Sequence, residues 1–456
     1  MKSKLKAYID KKVDVAPLVV FRLGFGFIML YSITRFWSKG WIETVYINPK
    51  YHFKYYGFEW VKVLGDYTYV LFALCGAAAF FVAIGFKYRL AIITFFLSFT
   101  YIELMEKATY LNHYYFISVL SFLMIFLPAN VSFSLDSFLN NKEYKKVPRW
   151  AIDSVKLLLT IVYFYAGLAK INSDWLFKAM PLKIWLPSKY DLPIIGDTLM
   201  NQNWFHFLMS WSGMLYDLLI PFFLLYRKTR VIAFVFVIFF HVFTGVLFPI
   251  GMFPYVMIVS TLVFFDAGFH HRIINFISKV LKRLVKIDFQ KLKIKSIYTL
   301  KYKRIIIPIV LLFFVLQLLI PFRYLLYPGE LFWTEEGYRF SWRVMLMEKM
   351  GHATFKIVDS KTKQFFYVDN SDFLTPLQEK QMSFQPDFIL DYAHYLGNHF
   401  KNQGHKNIEV YVESYVALNG RLSKPFIDKE VNLYQEKESF KHKYWILPFK
   451  DDIKGL

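Results

Sequence analysis

The sequence predicts an all-α membrane protein of about nine transmembrane helices, followed by a small extracytoplasmic α+β domain that is mostly β. Three observations carry this. Apolar runs of about 20 residues recur through the first part of the chain, the length a helix needs to cross roughly 30 Å of hydrocarbon. The 456 residues are 56% hydrophobic and 21% aromatic, with 51 Phe, far above the mix of a soluble multidomain protein. The polar segments between the runs also sort by charge.

The runs lie, in order, near 17–36, 68–86, 90–105, 113–133, 152–170, 204–226, 230–249, 252–267 and 304–323. The first follows a basic Met-Lys-Ser-Lys-Leu-Lys start, and no small-residue cleavage site comes after it, so it reads as a retained span. Residues 1–12, Lys87-Tyr-Arg89, Lys142 to Arg149, Arg227 to Arg230 and Arg272 to Arg304 are basic, the last with eleven Lys or Arg. With the N-terminus inside and nine spans, all five fall on the cytoplasmic side. The other side receives 37–67, 106–112, 171–203, 250–251 and everything after 324. The net charge of +21 follows from this sorting, and nucleic-acid binding is not expected. The lone Cys75 rules out an intrachain disulfide and a cysteine-based metal site. The eleven histidines are scattered without metal-ligand spacing, so metal catalysis is not expected either.

After residue 324 the pattern changes, which divides the chain into 1–325 and 326–456. Ala353 to Val358, a polar Asp359-Ser-Lys-Thr-Lys363 turn and Gln364 to Val368 predict a β-hairpin. Apolar positions three to four apart predict a helix over 373–402, and alternation predicts strands at Asn407 to Val416 and Val431 to Tyr434.

Polar groups in or beside the apolar runs are the candidates for chemistry. Lys170 closes the run Ile161 to Leu168, beside Asn172 and Asp174. It reads either as a lysine snorkelling to the headgroups or as a buried amine that gives up its proton and works as a base. Asn112 and His113 open another run at the same depth, with interface belting as the alternative. His241 lies deeper, and Arg22 and Asp217, in the first and sixth spans, form a candidate structural ion pair. The 171–203 loop, with Trp175, Pro181, Trp185 and Pro187, is expected to cover the site as an interfacial or re-entrant segment. Trp333-Thr-Glu-Glu-Gly-Tyr338-Arg-Phe-Ser341-Trp342 reads either as an aromatic belt or as a binding loop.

Taken together these blocks resemble the vitamin K-dependent γ-glutamyl carboxylases, and the wider HTTM-type membrane family built on the same transmembrane domain. The stretch Tyr163 to Trp175 is similar to the family's Phe-x-Ala-Gly-x-x-Lys-x-x-x-Asp-Trp. Lys107 to Tyr114 is similar to its Lys-Thr-x-x-Asn-His-x-Tyr, with Asn130 and Asp136 fitting the family's next segment. His241 with Phe248 to Tyr255, the Trp333–Trp342 loop, and Leu418 to Asp428 supply further blocks, so the resemblance runs from about 17 to about 435. The chain departs from the animal members at Ala169, where they carry a second lysine. It also lacks their disulfide and stops short of their full length, which points to a short, bacterial-type member. Lys349 and His352 are the nearest matches to the basic and His residues after the Trp-rich loop.

The resemblance implies an enzyme that couples oxidation of reduced vitamin K, a menaquinol or phylloquinol, to its epoxide with carboxylation of protein glutamate, using O2 and CO2 and no metal. It implies Lys170 as the quinol base, kept neutral by desolvation, with His113 and Asn112 hydrogen-bonding a developing oxyanion. His241, Tyr114 and Met252 are implied at the quinone, and Trp333, Tyr338, Ser341 and Trp342 at the acceptor glutamate. The expected partners are membrane lipid, a glutamate-containing protein or peptide, and a quinone reductase that supplies the quinol. The expected location is the bacterial inner membrane, with the site and C-terminal domain outside, or the endoplasmic reticulum in a eukaryote. The alternatives are a quinol epoxidase without carboxylation and a non-enzymatic transporter.

Overall fold

The computed structural model describes residues 2–193, 195–285 and 293–455. Its helices follow the apolar runs: α1 (Ala16–Ser38), α2 (Tyr67–Ile84), α3 (Tyr88–Met105), α4 (Asn112–Phe126), α5 (Arg149–Leu168), α6 (Asn203–Leu225), α7 (Arg230–Leu247), α8 (Phe253–Thr261), α9 (Ala267–Val285) and α10 (Lys303–Leu319). Among the described residues, seven helices are long and apolar enough to cross a bilayer: α1, α2, α3, α5, α6, α7 and α10 with its 3₁₀ extension.

Two of the nine expected spans differ. The fourth, expected to reach 133, stops at Phe126, because Leu127 precedes Pro128 and takes the extended ψ of 138° that a following proline enforces. The eighth bends. Phe253–Phe264 turns by 118° into Ala267–Leu284, so the part of the expected basic loop up to Val285 is helical, while 286–292 lies outside the described residues.

Close helix contacts depend on small residues. A Cβ on Gly26 would lie 2.5 Å from the backbone nitrogen of Ala83, and one on Gly167 would lie 2.6 Å from that of Leu218. Only glycine lets α1 approach α2, and α5 approach α6, so closely. Arg22, fully buried, donates to the carbonyls of Ala83 (3.2 Å), Ala129 (2.9 Å) and Phe133 (2.6 Å). It therefore satisfies a carbonyl freed at the end of α2 and two in the loop after α4, and the expected Arg22–Asp217 pair does not form.

One end of the bundle carries a small sheet, β1 (Lys12–Asp14) antiparallel to β2 (Lys142–Pro148), which runs parallel to β3 (Lys293–Ile297). The opposite end carries an antiparallel sheet in the order β5-β4-β6-β7, formed by β4 (Lys349–Asp359), β5 (Phe365–Tyr367), β6 (Ile408–Leu418) and β7 (Lys424–Pro425). The expected hairpin is β4–β5. The expected helix over 373–402 splits at a proline into Pro376–Met382 and α11 (Pro386–Asn402). Val431 to Tyr434 forms turns rather than a strand, since the Asn432 side chain takes up the Val410 N–H at 3.0 Å where a strand partner would supply a carbonyl.

The C-terminal sheet is seated on the bundle. One buried apolar cluster joins Ala169, Trp175 and Phe248 to Phe355, Phe388 and Val412. Partly buried ion pairs stitch the same seam, Lys107 to Asp387 at 2.9 Å and Arg421 to both oxygens of Asp174 at 2.6 and 2.8 Å, while Arg339 holds Asp387 at 2.7 Å from within the C-terminal part. Burial pushes the Asp387 carboxyl up, but Arg339 and Lys107 outweigh it and hold it below the ordinary carboxylate range. At Asp174, burial is likewise outweighed by Arg421 and Asn419.

Candidate active site

Helix α5 ends at Leu168, and Lys170 follows with its N–H bonded back to the Gly167 carbonyl at 3.0 Å. This turns its side chain inward. Lys170 Nζ donates to the Ala166 carbonyl at 3.1 Å and to Asp217 Oδ2 at 2.9 Å, and lies 5.3 Å from the Trp175 ring. Both residues of the pair are buried. The snorkelling geometry is thus absent. Nor is the amine isolated, because the Asp217 carboxyl faces it.

The pair faces a chamber of about 260 Å³. Its walls are mostly apolar, with Val162, Ala166, Trp175, Phe240, Phe253 and Met257 among them, and its polar groups include Asn112, His113, Tyr163, Lys170, Asp217 and His241. Trp175, Leu182 and Trp185 cover it from the 171–203 segment, as expected. His241 Nε2 bonds the Tyr163 hydroxyl at 2.8 Å, leaving Nδ1 buried without a partner. The His113 ring lies against Tyr114 and Phe253, with centroids 4.5 and 5.7 Å away. Asn112 Nδ2 donates to the Arg343 carbonyl at 2.7 Å, so this side chain also anchors the loop beyond α10. Tyr114 and Met252 are not among the residues lining the chamber. Tyr114 packs against Phe99 on the far side of His113, at 6.2 Å.

A second cavity of about 620 Å³ adjoins the chamber, and Leu111, Asn112, Trp185, Phe248, Ile250 and Met345 line both. This vestibule is cationic. Lys107, Lys189, Arg339, Arg343, Lys349 and Lys380 line it against only Glu335 and Glu348 among acids. Lys349 Nζ is buried and holds Glu335 at 3.0 Å; burial lowers its pKa from the ordinary value against the pull of Glu335.

The Trp333–Trp342 loop divides between lining and packing. Tyr338 lines the vestibule. Trp333 does not: its ring packs on Phe426 and its Nε1 donates to the Leu447 carbonyl at 2.7 Å. Trp342 is buried against Tyr115 at 4.8 Å, and the Ser341 hydroxyl is spent on the Tyr338 carbonyl. Glu335, Phe340, Trp342 and Met345 all have positive φ, between 51 and 60°. Each such residue costs of order 1 kcal/mol and persists only where its surroundings impose it. At Phe340 the Tyr110 hydroxyl does so, accepting the Phe340 N–H at 2.8 Å and donating to Asn112 Oδ1 at 3.0 Å.

Sequence reasoning singled out Asp217 as a span charge but matched it with the wrong partner, and it passed over Tyr163 and Arg343. The available signal was that charges inside apolar runs, Arg22, Lys170 and Asp217 among them, each need a partner.

Comparison with known families agrees with this architecture. Residues 10–269 match the HTTM domain, and residues 302–452 match the vitamin K-dependent gamma-carboxylase lumenal domain. No solved structure matches the chain. The helices are those of a multi-pass membrane protein, and the chain belongs to the vitamin K-dependent gamma-carboxylase family.

Proposed function

We propose that this protein oxidises a reduced naphthoquinone of the vitamin K or menaquinone type to its epoxide and uses that oxidation to carboxylate glutamate side chains. The observation that carries the reading is the pair of joined cavities of opposite character. A mostly apolar chamber holds one Lys–Asp pair, and a cationic vestibule opens beside it. The chamber suits an apolar ring with polar ends, and His241 Nδ1, buried without a partner, is available to an oxygen on that ring. The vestibule suits a carboxylate, which favours a glutamate acceptor over epoxidation alone.

When bound, the reduced naphthoquinone supplies the reducing equivalents and, with O2, the strong base that takes a γ-proton from glutamate before CO2 adds. The residues do the rest. Lys170 is the base that takes the hydroxyl proton of the bound quinol, and Asp217 positions its Nζ. His113 and the second Nδ2 hydrogen of Asn112 donate toward oxygen in the chamber. Tyr338 and the vestibule cations orient the glutamate. Trp175, Leu182 and Trp185 keep water out, which a strong base requires.

The same reading puts nine crossings in the membrane, counting α4 and the bent α8–α9 pair. It puts the N-terminus inside, and the division at 325/326 separates the membrane part from an extracytoplasmic α+β part. A quinone reductase is the partner that restores the quinol. The test is purified protein in lipid nanodiscs with a reduced naphthoquinone, O2, labelled CO2 and a glutamate peptide. Epoxide together with labelled peptide is the expected result. Epoxide without label would reduce the function to quinol oxidation, and neither product would overturn the reading.

A further inference from the structure

A third cavity lies outside the chamber, on the lipid side of the bundle. It is a groove of about 720 Å³ between α6 and α7. From α6 it is lined by Phe205, Leu208, Ser212, Leu215, Leu219 and Phe223, a stripe spaced three to four residues apart. That stripe spans about 27 Å at 1.5 Å per residue, close to the thickness of the hydrocarbon layer. From α7 it is closed by Ile232, Phe236, Phe239 and Phe243. Its lining is apolar apart from Ser212, Tyr216 and Thr229. Leu208 and Phe239 are 52% and 63% exposed, so the groove opens to the surroundings of the bundle, the bilayer interior.

The groove and the chamber are separated by a wall one side chain thick. Met209 and Phe240 line both cavities. Tyr216 completes the wall, stacked on Phe240 with centroids 3.9 Å apart and planes at 16°. Its ring stands edge-on to Tyr163 of the chamber at 6.0 Å.

We infer that the α6–α7 groove holds the polyprenyl tail of the naphthoquinol, and that Met209, Tyr216 and Phe240 form the portal through which its head reaches the Lys170–Asp217 pair. The inference rests on the naphthoquinol reading above. The head occupies the chamber and the tail leaves past Met209 and Phe240 to lie along α6. Lipid acyl chains are as apolar as the tail, so the groove contributes packing rather than escape from water. Its effect on affinity is accordingly moderate.

The experiment compares two naphthoquinones in nanodiscs, the tail-less 2-methyl compound and one with a long polyprenyl chain. Binding is measured in the oxidised form and epoxide in the reduced form. Ser212→Trp and Leu219→Trp fill the groove from a lipid-facing surface that leaves the chamber untouched. Leu311→Trp, on the exposed face of α10, is the control. The groove variants should weaken the tailed compound roughly ten-fold and leave the tail-less one unchanged. The control should alter neither. Equal loss for both compounds, no loss for the tailed one, or no binding of either would overturn the inference. If tail-dependent binding holds but wild-type protein forms no epoxide, the groove stands and the reaction falls. If epoxide forms and the groove variants match wild type, the reaction stands and the groove falls.

Discussion

The chamber and the vestibule share a wall yet handle charge in opposite ways. In the chamber a single lysine meets a single carboxylate, the net charge of the pair is zero, and much of the surround is apolar. In the vestibule six cations face two acids, and part of the positive charge is held in place by Asp387 and Glu335 on neighbouring elements. A buried pair is costly to form and costlier to halve, whereas a cationic cleft that reaches solvent keeps its charge for a ligand. The difference teaches that the two cavities should fail in different ways when mutated: the first in chemistry and folding together, the second in affinity for an anionic acceptor.

The largest effect is expected at Lys170. Lys170→Ala should lower epoxide formation by more than about a thousand-fold, and it should also cost roughly 3–4 kcal/mol of stability, because it strands the Asp217 carboxylate. A residue at a helix end would on its own have been replaceable without harm to the fold; its ion pair changes that. Adding Asp217→Leu should recover the melting temperature but not the epoxide. Wild-type epoxide formation by Lys170→Ala would end the assignment of a base.

Next comes His113→Ala, for which epoxide formation should fall about 100-fold with little change in peptide KM, the loss typical of one oxyanion donor. Full activity would return His113 to a packing role beside Phe253.

The vestibule is sharpened by comparing two residues of one loop. Tyr338→Ala should raise the KM for a glutamate peptide about ten-fold, the effect of a binding-site contact worth ~1.4 kcal/mol, and leave epoxide formation without peptide unchanged. Trp342→Ala should instead lose about 3–5 kcal/mol of stability, since this buried ring fills the space against Tyr115. Identical profiles for the two variants would erase the distinction between lining and packing.

The smallest effect concerns pH. Glu106, at the seam between α3 and the C-terminal part, accepts from the Ala108 N–H and from Gln378 Nε2, both at 2.8 Å. Burial nonetheless pushes its carboxyl up to about 8 from the ordinary 4.5. The folded state therefore holds this proton more tightly than the unfolded chain does. Stability should fall as pH rises from about 4.5 to about 8 and be flat, for this group, outside that window. Glu106→Gln should flatten the slope over the window. A wild-type melting curve with no such slope would show that the seam admits water.

Much of the fold was legible in the sequence, because span length and apolar character are properties of contiguous residues. Where the span pattern misled, the cause was local too: Pro128 ended α4 early, and the segment after Phe264 turned aside as a separate helix. The site was legible in its parts. Lys170, Asn112, His113 and His241 do line one chamber, while Tyr114 and Met252 do not. The loop after α10 was visible as a cluster of aromatics, but not which of them would line a cavity and which would be packed away.

By itself the sequence determined that a lysine, an arginine and an aspartate inside apolar runs must each find a partner, since a bare charge in hydrocarbon is too costly. Only the tertiary structure decided the pairing. Arg22 took a carbonyl freed at the end of α2 and one in the loop after α4, and Gly167 let α5 approach α6 closely enough to bring Lys170 to Asp217. The reason is that partner choice depends on distances between helices far apart in the chain, which periodicity along any one helix does not encode.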